Sequence, residues 1–226
     1  MTVLRSTDEG RHSPGEGPWW CETWWFGFWT GEGAVAGFTE LTLVPNQRRC
    51  WYRAALVRHG EPLLLMDEMD APLPRRQELE VKAEGLWADH VCEVAMKQWT
   101  LANEAHAVAL DDPDDAIGRA YGTVTPMAFD LEWYATGPVT ALTIIAGIEQ
   151  AGYRQPGELH GLIELPGASL TIVAFADRRH SWGPIVLPPV AERPAGAHVP
   201  LRLPLPFDVV IDDTLTTEGW VRTRRP

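Results

Sequence analysis

Apolar and polar positions alternate with period two over most of this chain. In its first such run Trp20, Glu22, Trp24, Phe26 and Phe28 share one face, because successive side chains of a strand point to opposite sides. The pattern predicts strands at 21–29, 35–44, 49–57 and 63–67, separated by Gly31-Glu32-Gly33, Pro45-Asn46 and His59-Gly60-Glu61-Pro62. These are turn chemistries, with glycine for positive φ and proline to fix the bend. After a break at 72–74, further strands are predicted at 79–83, 86–94, 98–102 and 105–110. A second group follows at 125–134, 147–153, 158–165 and 169–180, with turns at Gln155-Pro156-Gly157 and Pro166-Gly167. The proline-rich stretch 184–206 is expected to wrap a sheet edge, since proline cannot donate to a ladder. Final strands are placed at 208–212 and 219–223, and short helical turns at 114–121 and 139–146. The fold class is therefore all-β, a barrel or sandwich of two β-units, 18–110 and 125–226. A flexible leader, 1–17, precedes them, and a loop, 111–124, connects them.

The 226 residues suffice for one large β-domain or two small ones, and an apolar content of 45% supports a packed core. The net charge of −12 disfavours contact with phosphate backbones and anionic lipid, so no nucleic acid is expected as a partner. No apolar run approaches the roughly 20 residues of a membrane span, and the polar start lacks the apolar core of a signal peptide. A cytoplasmic protein without membrane insertion is the expectation, and a homodimer is compatible with it. The run Asp111-Asp112-Pro113-Asp114-Asp115 reads as a solvated loop, because it lacks the glycine and distal glutamate of a calcium loop. Cys21, Cys50 and Cys92 form neither a disulfide framework nor a C-x-x-C pair. No spacing marks a metal site, and no cofactor is implied.

Candidate chemistry sits on two strands. Glu22 is the single carboxyl group on an aromatic face; if that face is internal, burial raises its pKa and keeps it neutral, as protonation of an alkene or carbonyl requires. In Asp177-Arg178-Arg179-His180-Ser181-Trp182-Gly183-Pro184, His180 and Trp182 point to the same side, where the imidazole can donate a proton and the indole can shield a developing cation. Glu22, His180 and Trp182 are the catalytic candidates; Trp24, Phe26, Phe28, Trp51, His90, Glu132, Trp133 and Tyr134 are the candidate substrate contacts. Each has a structural alternative: a satisfied buried acid, a histidine bonded at a rim, aromatic core packing. For Glu132 and Tyr134 the alternative is a solvent face, opposite Leu131 and Trp133.

Glu22-Thr23-Trp24-Trp25-Phe26, Trp87-Ala88-Asp89-His90-Val91-Cys92-Glu93, Asp130-Leu131-Glu132-Trp133 and His180-Ser181-Trp182-Gly183 together resemble an actinobacterial branch of the lipocalin-like hydratase and cyclase group. That group includes carotenoid 1,2-hydratases, AttH-like proteins and lipocalin-like Diels–Alderases. The resemblance spans residues 18 to 184 and is carried best by H-x-W-G. It implies a lipocalin-like antiparallel β-barrel fold in two halves, the second incomplete here, with a lipophilic pocket in or between them and cofactor-free chemistry on a lipophilic polyene, polyketide or terpenoid substrate. It also implies active-site roles for His180 and Trp182. Arg179 stands where the group carries an Asp before this His. Cyclisation is the expected reaction, with hydration of an isoprenoid alkene, carriage of such a ligand without turnover, and an interaction module as the other readings.

Overall fold

The computed structural model describes residues 5–31, 34–75, 77–110, 121–142 and 151–184. Among these, the strands in chain order are β1 (Trp20–Trp29), β2 (Val35–Val44), β3 (Arg49–Arg58), β4 (Leu64–Pro72), β5 (Glu80–Ala83), β6 (Leu86–Val94), β7 (Gln98–Leu110), β8 (Gly122–Ala135), β9 (Thr140–Ala141), β10 (Ala151–Leu165) and β11 (Ala168–Pro184). All belong to one antiparallel sheet, ordered β4-β3-β2-β1-β11-β10-β8-β7-β6-β5. The end of β7 also pairs with β4, through Leu64↔Ala109 and Leu65↔Val108, which closes a ring of eight strands. Closure gives every ring strand a neighbour on both sides, β4 and β7 meeting only at these two pairs. The all-β, barrel-like expectation holds. Strands from 18–110 and from 125–184 lie in this same sheet, because β1 pairs with β11 along its whole length.

The period-two pattern sets the inside. Trp24, Phe26 and Phe28 of β1 meet Tyr52, Trp99, Leu101, Phe129, Leu131 and Trp133, all essentially inaccessible to solvent. At about 25 cal/mol per Å² of apolar surface, burying rings of this size dominates the stability of the fold.

Three local expectations are corrected. The predicted break between 102 and 105 is absent, since β7 runs unbroken. Asn103 sits inside the barrel with its polar atoms satisfied: Nδ2 donates to the Tyr52 hydroxyl at 2.7 Å and Oδ1 accepts the Phe129 N–H at 2.9 Å. The turn expected at Gln155-Pro156-Gly157 lies within β10. Pro156 precedes the start of pairing with β8 at Gly157↔Ala135, so its missing N–H costs no bond there. Gly157 is required by packing, as a Cβ on it would sit 2.3 Å from the Trp133 indole. The helical turn predicted at 139–146 is in its described part the short strand β9, paired with Tyr153 and Arg154. The acidic run 111–115, the helical turn at 114–120, residues 147–150 and everything beyond 184 lie outside the described residues.

The segment assigned to a leader lies against the barrel from residue 5 onward. Ser6–Glu9 form a 3-10 turn, and Glu9 is buried. Arg11 donates to the Pro74 carbonyl at 3.0 Å, and Asn46 Nδ2 donates to the carbonyls of Gly15 and Gly17 at 3.0 and 2.7 Å. The segment thus crosses the end of the barrel where β1 begins and β11 ends.

Candidate active site at one end of the barrel

Strand register builds this site row by row. Trp24 pairs with His180, and His180 pairs with Tyr153, so an indole, an imidazole and a phenol stand side by side across three strands. In the row toward the barrel end Glu22 pairs with Trp182; in the row toward the middle Phe26 pairs with Arg178, and Arg178 with Gln155. Alternation turns all of these side chains inward.

Glu22 is the hub. Its Oε1 lies 2.8 Å from Nε2 of His180 and 2.6 Å from Nδ1 of His12, and its Oε2 accepts the His12 backbone N–H at 2.9 Å. Glu22 and His180 are fully buried, while His12 retains 22% of its side-chain exposure. Trp182 stacks on His12 with ring centres 3.7 Å apart, Trp24 stacks on His180 at 4.5 Å, and the Tyr153 hydroxyl lies 3.3 Å from His180 Nδ1. Burial alone would raise the Glu22 pKa, but the hydrogen bonds from His12 and His180 outweigh it and hold the carboxyl below its ordinary range. This corrects the expected neutral Glu22: it is a carboxylate. His180 is shifted down, because burial disfavours its charged form more than Glu22 favours it. The result is a neutral imidazole against an ionised carboxylate.

A second network supports the first. Arg178 donates to both carboxylate oxygens of Glu9, at 2.9 and 2.5 Å, and to Gln155 Oε1. Its guanidinium lies over Trp133, with 4.8 Å to the ring centre. Glu9 also accepts the Met96 N–H at 2.7 Å, and its carbonyl accepts Trp24 Nε1–H at 3.4 Å. These bonds fix the segment that delivers His12.

Of the residues singled out from sequence, Glu22, His180, Trp182 and Trp24 come together. Phe26, Phe28 and Trp133 face inward and pack among the aromatic rings of the core, including Trp99 and Phe129. His90 lies in a separate polar island with Thr39, Tyr52 and Asn103. Glu132 and Tyr134 point outward, where the Tyr134 hydroxyl donates to Glu132 at 2.7 Å. Trp51 is also on the outer face, beside Trp19, Val44 and Met69. Outward placement removes these three from the interior. Sequence reasoning missed His12, Tyr153, Glu9 and Arg178. The Arg178 signal was present, as it shares the inward parity of His180 and Trp182.

Asp177 has the opposite parity and faces outward, buried beneath Arg179, whose Nε is 3.7 Å away. Burial pushes its pKa up. A hollow of about 750 Å³ lies at the far end of the barrel, lined by residues including Trp87, Glu104, His106 and Glu164. Ligand atoms of His12, Glu22 and His180 lie within 4.8 Å of one another, a cluster no sequence spacing displays.

Among solved structures, a putative AttH from Nitrosomonas europaea is similar at 12% identity and a TM-score of 0.43, over 84% of this chain and 58% of that one. CghA with Sch210972, and CghA alone, are similar at 13% and 14% identity and a TM-score of 0.39, over 75% of this chain and 47% of theirs. The chain thus spans about half the length of these proteins. No curated protein matches it in sequence. Residues 5–190, a span that takes in Glu9, His12, Glu22, Arg178 and His180, match the family described as a domain of unknown function (DUF7064), and the chain belongs to that family.

Proposed function

We propose that the protein is a cofactor-independent cyclase for a lipophilic polyene, polyketide or terpenoid intermediate, working by proton transfer at the His12–Glu22–His180 end of the barrel. One observation carries this reading. A buried carboxylate bridges two imidazoles among stacked indoles, and one imidazole is partly exposed. With its Nδ1–H held by Glu22, His12 offers Nε2 to a reacting group. In its protonated form His12 gives that proton to an alkene or carbonyl, and the Glu22 carboxylate offsets the charge before transfer. The cation formed closes the ring beside the face of Trp182, and loss of a proton to His12 ends the cycle. His180, fixed by Tyr153 and Trp24, holds the second side of Glu22. The reacting group approaches past His12 and Trp182, the partly exposed rings of the site.

The partial exposure of His12 favours a second reading, hydration, because water can reach the same cation. Both are tested by incubating a panel of linear polyenes and terpenoids with the protein in deuterated water. Cyclised product carrying deuterium, lost on His12→Ala, is expected. A hydrated product assigns the second reading. Cyclised product without deuterium and unaffected by His12→Ala would make the reaction pericyclic and the triad structural.

A further inference from the structure

Three electron-pair donors converge between residues 5–17 and the barrel wall: His12 Nδ1, a Glu22 oxygen and His180 Nε2, all within 4.8 Å. Each ring has its plane fixed, His12 by Trp182 and His180 by Trp24. The Tyr153 hydroxyl at 3.3 Å from His180 Nδ1 is the outer partner that, with the proton on Nδ1, turns a lone pair on Nε2 toward Glu22. The second Glu22 oxygen is held by the His12 backbone N–H. Two imidazoles and one carboxylate, with Tyr153 behind His180, the backbone N–H behind the second Glu22 oxygen and His12 partly exposed, match the three-ligand pattern of sites that keep a fourth position free. Imidazole donors select zinc-class ions over magnesium and calcium, which take oxygen ligands.

We propose that His12, Glu22 and His180 form a binding site for one divalent transition ion of the zinc class, which replaces the shared protons and pins residues 5–17 to the barrel. The inference goes beyond the proton-transfer reading. An ion there occupies the lone pairs that the relay uses, so the metal-loaded protein is the inactive form of the proposed catalyst.

The test uses the full chain and two probes, Co²⁺ for its visible spectrum and Zn²⁺ for calorimetry and thermal shift. One ion per chain is expected, with intense Co²⁺ bands displaced by Zn²⁺ and a raised Zn²⁺-dependent melting temperature that Mg²⁺ does not reproduce. Tyr153→Phe should weaken binding about 10- to 100-fold, as loss of an outer partner does. His12→Ala and His180→Ala should weaken it further, and His106→Ala, at the far end of the barrel, should leave it unchanged. His12→Ala removes only a partly exposed ring, so an unaltered circular dichroism spectrum separates lost binding from lost fold. Absence of Co²⁺ bands in the wild type, or bands that persist in both His12→Ala and His180→Ala, would overturn the site. Turnover in the deuterium assay without Zn²⁺ binding removes the metal site and keeps the relay. Binding without turnover does the reverse.

Discussion

Two buried histidines face the inside of this barrel, and their surroundings differ in kind. His180 touches an ionised carboxylate, a second imidazole and two indoles, at an end of the barrel where His12 is partly exposed. His90 touches neutral groups: Thr39 Oγ1 lies 3.1 Å from its Nε2, and the rings of Phe26 and Tyr52 meet it edge-on. Burial is complete for both. Burial of a polar residue therefore does not mark a site; a charged partner and a route to solvent do. The His90 island orders the core, with Tyr52 accepting from Thr39 and Asn103 across three strands.

The comparison breaks most readily through the charges. Arg178→Met leaves the Glu9 carboxylate buried without its cation, and a loss of about 3–5 kcal/mol is expected in chemical denaturation. The double substitution Arg178→Met with Glu9→Gln should recover part of it. Glu22→Gln removes the anion between two imidazoles; a loss of about 2–3 kcal/mol is expected by the same measurement, together with at least a ~100-fold fall in turnover.

The His90 island should instead show itself in acid. Burial pushes its pKa down to about 3 from 6.5. Below 6.5 the unfolded chain binds a proton there that the folded chain refuses, so stability falls as the pH drops toward 3. Between pH 6.5 and about 5 this contributes roughly 2 kcal/mol. His90→Gln should flatten that part of the stability–pH curve while leaving turnover at neutral pH intact; an unchanged slope would place the acid sensitivity elsewhere. The smallest effect is expected on the outer face, where Glu132→Ala and Tyr134→Phe should each change stability by under about 0.5 kcal/mol and leave turnover as it was.

Much of this could be read from local pattern. The parity of Trp20 to Phe28 put Glu22 on one face with Trp24, Phe26 and Phe28, and the parity of His180 and Trp182 put those two on one side; the sheet turns both faces inward. Contacts between these strands were beyond reach, since 158 residues separate Glu22 from His180 and only the register of β1 on β11 joins them. The carboxylate beside His180 comes from another strand, while the neighbouring Arg179 stacks outward on Trp25. His12 was missed for a different reason: it lies in a polar stretch with no periodicity, held by side-chain bonds from Gln77, Asn46 and Glu22 rather than by a ladder. Pro156 misled because its neighbours, not its own chemistry, decide whether a strand tolerates it. The parity of Glu132 and Tyr134 was seen, but assigning them to an interior required a polar inside, and this interior is aromatic.

Pairing of β1 with β11 has a consequence for the chain as it is made. A ribosome adds roughly 5–20 residues per second, so the first strand waits on the order of ten seconds for its partner. During that interval the edge of β1 that will carry β11 is unpaired, and its inner face presents Trp20, Trp24, Phe26 and Phe28. Unpaired, aromatic strand edges are where nascent chains stick to one another. Delayed closure thus leaves the surface that becomes the candidate site uncovered until β11 emerges.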